Sequence, residues 1–448
     1  MSGDTALAVT RELADFACAT RYADLPEAVR QEAVRSWTNF VGGCLGGSAH
    51  DAVARTRRAT AAVAAPGDCR VIGRPERFGP LEAARLNCQA SAAHAFDDTH
   101  LATVTHPAGP VAAPLFAEAE RRQIDGESFL AALVVGVEIA CRLGAMLTLP
   151  PARPQVGWYM TSVACPMGAA AAVGMLIGLD GTAMRQALGI AANQAAGFRN
   201  THGSMCTSLM PAEASRAGYW AALLAAEGVT SSDTAIEGRL GFASVFAPEP
   251  CVSHAVDGLG ARWEALSNMP KPYPCGIVIH PILDACLALA QAPGFDVGRV
   301  RRIEIAVNPL CLTLTDRPAP ESAQMAQVSL QHWAAVSLVR GAAGIAEGDE
   351  AVVHDPTVLR VRALVEAEGD DALSTDAARV RVTFDDGAQM EEFIAHATGS
   401  LARPMSDAEI DAKFLAQAKL AVSDAEAARL LAQSRAVAGF SNVGQEAL

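Results

Sequence analysis

The sequence predicts a mainly α protein: a large all-helical domain, with a smaller α+β domain set in before the chain returns to helix at its end. Three observations carry that prediction. Of 448 residues, 51% are apolar and only 19% charged, with much alanine and few aromatics, a composition suited to closely packed helices around a large core. Apolar residues recur at helical spacing through most of the first 265 positions. The pattern then changes after a Pro/Gly-punctuated elbow, Lys271-Pro-Tyr-Pro-Cys-Gly276, to segments that alternate every second residue.

Taken in order, Leu25 to Leu45 opens with Pro26 near a helix start and carries Val29, Ala33, Trp37 and Val41 at helical spacing. Ser128 to Leu147 is a second, strongly apolar helix with Glu138 and Arg142 four residues apart. Trp158 to Leu179 is the longest uncharged stretch, long enough to raise the question of a membrane span. Its Pro166, its many small residues and the lack of a second such stretch predict a buried helix instead. Thr182 is read as the cap of a helix running through Leu188 and Ile190 toward Gly197, and Ala212 to Glu227 as a helix ending at Gly228. Beyond the elbow, His280 to Gln291 reads as helix, and Arg299 to Thr315 is β-branched and alternating. Ser329 to Ala343 returns to helix. Arg379 to Phe384 alternates, turns at Asp385-Asp386-Gly387 and comes back through Met390 to Ile394, a hairpin. The tail has two capping-box patterns, Ser406-x-x-Glu409 and Ser423-x-x-Glu426. The layout is a helical domain of residues 1–266, completed by 400–448, and an α+β domain of residues 267–399.

The net charge is −14 with no basic run, so nucleic acid and anionic membranes are poor partners, while a small anionic substrate can still be met by a locally basic pocket. Eleven cysteines lie between Cys18 and Cys311 without a CxxC pair, which reads as free thiols in a reducing compartment. Met1 to Leu13 lacks an apolar run, so no secretory signal is expected and a cytoplasmic protein is.

Residues 94–110 hold the densest set of proton-handling groups. His94, His100 and His106 and the adjacent Asp97 and Asp98 fall within 13 positions, flanked by apolar residues. Three readings stand beside one another. The residue types suit a metal, but their spacing matches no common zinc pattern. Asp97 and Asp98 suit a helix cap, with His106-Pro107 a simple turn. The remaining reading, and the one preferred, is a general acid/base site, since imidazole titrates near working pH and a carboxylate can orient it.

Lysine use adds a second clue. There are three lysines against 32 arginines, and Lys271, at the elbow, is the only lysine before the tail. A lone lysine among arginines is either chance or a place where a compact ammonium that can lose its proton is needed. Tyr159, ahead of the Ala/Gly-rich helix, offers a phenol to a substrate or to a carbonyl. Arg199-Asn-Thr-His202-Gly203 is a polar break between apolar helices, suited to gripping a carboxylate or merely connecting them. No GxGxxG, P-loop, GxSxG or kinase signature supports nucleotide or serine-hydrolase chemistry.

These residues resemble the MmgE/PrpD family, which includes 2-methylcitrate dehydratase, cis-aconitate decarboxylase and iminodisuccinate epimerase. The resemblance is carried by Phe96-Asp-Asp-Thr-His100, Thr105-His-Pro107 with Gly109-Pro-Val111, and Gly168-Ala-Ala-Ala-Ala172 ending in Leu176-Ile-Gly-Leu-Asp180. It continues in Ala187-Leu-Gly-Ile-Ala191, Glu237-Gly-Arg-Leu-Gly-Phe242 and Lys271-Pro-Tyr-Pro-Cys275. It implies a helical domain with an α+β lid, a site between them, a homodimer, and no cofactor or metal. Position by position, His106, Asp98, Thr99 and Lys271 match polar active-site positions of the family. The chemistry implied is proton transfer at a carbon beside carboxylates of a small di- or tricarboxylic acid.

Several positions depart from the lyase pattern. Ala95 replaces a carboxylate, Tyr159 a histidine, and Thr207 and Met210 stand where a lysine and a histidine would fall. With fewer cations and proton donors, the expectation shifts from a dehydratase or decarboxylase to an isomerase resembling iminodisuccinate epimerase. In that reading Lys271 and either His106 or Tyr159 act on opposite faces of the carbon, and Asp98 orients His106. Arg199 or His100 binds carboxylate, with Thr99 and His202 as further substrate contacts. The alternatives are a lyase of the same family and a non-catalytic member that binds an acidic metabolite.

Overall fold

The computed structural model describes residues 7–448. Residues 1–6, where the stretch read as lacking an export signal begins, lie outside the described residues. The first long helix, α1 (Glu27–Gly47), starts directly after Pro26, whose fixed φ suits a helix entry. It is followed by α2 (Pro80–Ala92), the short strand β1 (Asp98–His100), α3 (Ala108–Ala119), α4 (Gly126–Thr148) and α5 (Met160–Ile177). Then come α6 (Gly181–Ala192), α7 (Cys206–Ala226) and the short strand β2 (Asn268–Pro270).

Small residues set how these helices meet. A Cβ on Gly168 of α5 would lie 2.3 Å from the Gly136 carbonyl of α4, and one on Gly218 of α7 equally close to the Pro166 carbonyl. The three backbones therefore touch, and only glycine permits it. Two helices, α4 and α5, are long and apolar enough to cross a membrane by length and composition, one more than the sequence reading found. Their apolar windows are 100% and 83% buried inside the protein, which makes both of them core helices. Within α4, Arg142 pairs with Glu138 at 2.6 Å, both side chains fully buried. Arg142 also donates to the carbonyls of Asp257, Gly258 and Arg262, and Glu138 accepts from the Ala265 amide, so the buried pair is fully hydrogen-bonded.

Two helix boundaries differ from expectation. Asp180, not Thr182, caps α6 by accepting from the Ala183 amide at 2.8 Å, and α6 ends at Ala192, well short of Gly197. The carboxylate is the stronger acceptor and sits at the last non-helical residue. Helix α7 starts at Cys206, six residues before Ala212, and carries Pro211 inside it at the cost of one main-chain hydrogen bond.

The smaller domain comprises α8 (His280–Gln291), β3 (Val300–Val307), α9 (Leu330–Arg340), β4 (Val365–Gly369), β5 (Ala378–Phe384) and β6 (Gln389–Ile394). Its sheet has the order β4-β3-β5-β6, with β3 parallel to β4 and antiparallel to β5. The alternating stretch from Arg299 is strand only as far as Val307; Asn308 then caps a short helix, Pro309–Thr315. The hairpin lies where the alternation put it, with Val380 and Val382 turned into a core shared with Ile303, Ile305, Leu283 and Trp333.

The tail returns to helix as α10 (Asp407–Ala418) and α11 (Asp424–Arg435). Phe414 packs against Gly42 of α1, where an added Cβ would lie 3.0 Å from its ring. The Ser406–Glu409 box is reciprocal. At Ser423 only half forms, because Glu426 turns to Arg429 at 2.5 Å.

One small feature fixes the site. Strands β1 and β2 pair antiparallel, Asp98 opposite Pro270 and His100 opposite Asn268. This ribbon ties the histidine-rich segment to the elbow that carries Lys271, whose amide bonds the Asp97 carbonyl at 3.1 Å.

Candidate active site

A cavity of about 70 Å³ lies where the ribbon, the start of α5, the break before α7 and the smaller domain meet. Its walls include Asp97, His106, Tyr159, Arg199, His202 and Lys271, so five of the eight residues singled out from the sequence come together there, with Asp97 added. Ala95 and Val104 line it too. They are the only non-glycine residues with positive φ among the described residues, at 51° and 52°. Backbone strain of this kind persists only where surrounding structure holds it, and it gathers at functional sites.

Alternation along β1 decides which polar groups reach the cavity. Asp97 and Thr99 fall on one side. The Lys271 ammonium, 3% exposed, donates to the Asp97 carboxylate and to the Ala95 carbonyl at 3.2 Å. Burial alone would raise the Asp97 carboxyl, but the Lys271 ammonium and His106 together outweigh it and hold it below its usual range. Thr99 Oγ1 lies 3.0 Å from His106 Nδ1.

Asp98 and His100 fall on the other side, which corrects two expectations. Asp98 does not orient His106 through its carboxylate. That carboxylate accepts from the Ala108 amide at 3.1 Å and from the Asn268 side chain, fastening the start of α3 to the ribbon. Burial, with Asp97 beside it, pushes it up to about 6. His100 binds no carboxylate in the cavity: it is fully buried between Thr103 at 2.8 Å and Glu264 at 3.1 Å.

His106 is nevertheless oriented, by the Asp98 main chain. Its Nδ1 donates to the Asp98 carbonyl at 2.7 Å, which fixes the tautomer and leaves Nε2 without a hydrogen bond among the described residues. Burial, reinforced by the Lys271 ammonium, lowers the imidazole to about 4, so it rests neutral.

A second pairing brings the remaining groups together. Trp158 bridges Phe198, with the Tyr159 amide on the Gly197 carbonyl and the Arg199 amide on that of Gly157. Tyr159 and Arg199 therefore stand side by side. Burial, with Asp97 nearby, holds the Tyr159 phenol well above its usual range. Arg199 donates to the Trp158 carbonyl at 3.1 Å and has no acidic partner among the described residues, so its charge is free for an anion. The His202 ring meets the Tyr159 ring edge-on, with centroids 4.9 Å apart, and its buried Nε2 has no partner among the described residues. Burial and Arg199 lower it to about 3.

Sequence reasoning passed over three contributors. Asp97 is one strand position from Asp98, and strand alternation was the signal that separates them. Arg317, from the smaller domain, donates to the His202 carbonyl at 2.9 Å and nothing local marks it. Thr207, read only as a lost lysine, lines the cavity, whereas Met210 does not. Behind Asp97, the tail residue Lys413 is buried, bonded to Asn39 at 2.6 Å and 4.2 Å from the Phe96 ring centroid.

The fold and this constellation define a member of the MmgE/PrpD family. The family's N-terminal domain matches residues 11–254 and its C-terminal domain residues 273–437, so the chain belongs to it. Among its relatives, cis-aconitate decarboxylase of Aspergillus terreus is 28% identical over 80% of this chain and 78% of its own length. The cis-aconitate decarboxylase-like protein oryM of Aspergillus oryzae is 28% identical over 94% and 92%. Human cis-aconitate decarboxylase is 27% identical over 79% and 76%.

Proposed function

We propose that this protein is a lyase that releases a carboxyl group, as carbon dioxide, from a small di- or tricarboxylic acid. The observation that carries the proposal is the mixed character of one cavity: Lys271, Arg199 and His106 share it with the apolar Leu314 and Val328. The cations hold the carboxylates that stay. A carboxylate set against Leu314 and Val328 loses hydration, and departure as neutral carbon dioxide relieves that cost. As the carbon–carbon bond breaks, its electron pair spreads toward a retained carboxylate and takes a proton from His106 Nε2. Bound anions favour the charged imidazole that supplies this proton. His106 ends neutral and regains its proton from solvent.

The epimerase reading drawn from the sequence yields first place here to its lyase alternative. Reversible inversion needs a base on each face of the carbon. Of the three groups that reading assigns to the two faces, Lys271 is ion-paired with Asp97 and burial keeps the Tyr159 phenol protonated, which leaves His106 alone as a ready base. The relatives named as enzymes are decarboxylases.

The test is incubation with cis-aconitate and a panel of carboxyl-labelled di- and tricarboxylates. Labelled carbon dioxide released by the native protein and not by His106→Asn supports the proposal. Loss of water, or inversion with no change of mass, overturns it.

A further inference from the structure

The polar cavity is not the only space at this place. An adjoining chamber of about 320 Å³ shares Val104, Ile277 and Val278 with it as a common wall. The chamber is the larger of the two, and its size falls in the range of small-ligand pockets. Much of its remaining lining is apolar, with Leu101, Leu310 and Leu401 among it. Its one buried titratable group is His280, fully enclosed, and its acid, Asp376, is paired with exposed His396 at 2.8 Å. Among the described residues no lysine or arginine lines it, so it offers no fixed counter-charge to a second carboxylate. The lining also includes uncharged Thr375, Thr398 and Ser400, and its leucines with Ala102 and Ala397 are the part suited to hydrocarbon.

Resting on the lyase reading, we infer that the substrate carries an apolar substituent of several carbons, seated in this chamber while its carboxylates lie against Lys271 and Arg199. Three observations converge on this occupant. The two spaces adjoin across three apolar residues, Val104, Ile277 and Val278, and their linings share no charged residue. The polar cavity has little room beyond the carboxylate-bearing core. Val104, at the junction, is one of the two strained residues, held at φ 52° although β-branched side chains strongly disfavour that region. With Ile277 and Val278, this strained residue borders both spaces.

The chamber's contribution grows with the apolar surface it removes from water. Each added methylene should strengthen binding roughly fourfold until the chamber is full. The test measures calorimetric Kd for succinate and its 2-methyl, 2-propyl and 2-pentyl derivatives, alongside carbon dioxide release from correspondingly substituted unsaturated acids. Expected are a stepwise fall in Kd along the series and the same order in kcat/KM. Leu310→Trp, which fills the chamber, should shorten the best chain; Leu401→Trp, at the exposed rim, gives a second plug should the first fail to fold. A Kd that is flat or rises with chain length, with the unsubstituted acid still decarboxylated, overturns the chamber assignment and leaves the lyase reading standing. The stepwise fall without carbon dioxide from any acid sinks the lyase reading and keeps the chamber as an alkyl-acid site.

Discussion

Replacing Lys271 by Met separates what the ammonium does for the fold from what it does for the chemistry. Lys271 and Asp97 are an ion pair with side chains 3% and 10% exposed. Removing one member of such a pair leaves an uncompensated buried charge, which destabilises by about 3–5 kcal/mol. Asp97 then loses the strongest of the influences that lower it, and burial pushes it above its ordinary range. A carboxyl raised in the folded state contributes stability below its unfolded value and loses it as pH rises through the folded one. The deficit of Lys271→Met should therefore be largest near pH 8 and shrink toward pH 5. Adding Asp97→Asn removes the orphan charge and should restore most of the loss, while kcat/KM stays at least ~10²-fold down because the carboxylate-holding cation is gone. Chemical denaturation of the native protein, both single variants and the double variant gives the coupling directly. Equal stability of Lys271→Met and the native protein, or a double variant no more stable than Lys271→Met, would refute the pairing.

Other expectations follow from the same geometry. His106→Asn keeps a donor for the Asp98 carbonyl, so it should fold normally yet lose roughly 10²–10⁴-fold in kcat by steady-state assay. Because the decarboxylation transition state holds one proton more than neutral His106 plus a fully ionised acid, kcat/KM should fall about tenfold per unit from pH 6 to 8; a flat profile would instead point to His106 as a base. Asp98, raised to about 6, favours the native state at low pH, a contribution lost as pH rises through that value. Asp98→Asn should thus flatten the pH dependence of denaturation between about pH 4 and 6 and leave kcat nearly unchanged. His100→Gln should lower the unfolding midpoint, since it breaks the Thr103 and Glu264 contacts, without changing the pH profile of turnover.

Much of this architecture was legible in the sequence because it rests on local rules. Pro26, the Ser406–Glu409 box and the Asp385-Asp386-Gly387 turn each announce an element through their own backbone chemistry. The site was legible by residue type: an isolated lysine, one histidine of the cluster and a lone polar break do meet in one cavity. What the sequence could not show was side. The three-residue strand β1 is too short to display its alternation, so Asp98 and His100 were read into a site that Asp97 lines and that Thr99 reaches only through His106. Lys413 was equally hidden, since a tail lysine becomes a buried group only once α10 packs on α1. The apolar chamber depends on residues from 101 to 401 and has no local signature at all.

The most direct test of a proton delivered to carbon as a carboxyl group leaves is its stoichiometry. With a decarboxylated acid identified from the panel, turnover in deuterated water should give one carbon-bound deuterium per carbon dioxide, at the carbon that lost the carboxyl group. None should enter recovered substrate. Deuterium accumulating in recovered substrate, with inversion and no carbon dioxide, would contradict the account and return the protein to the epimerases.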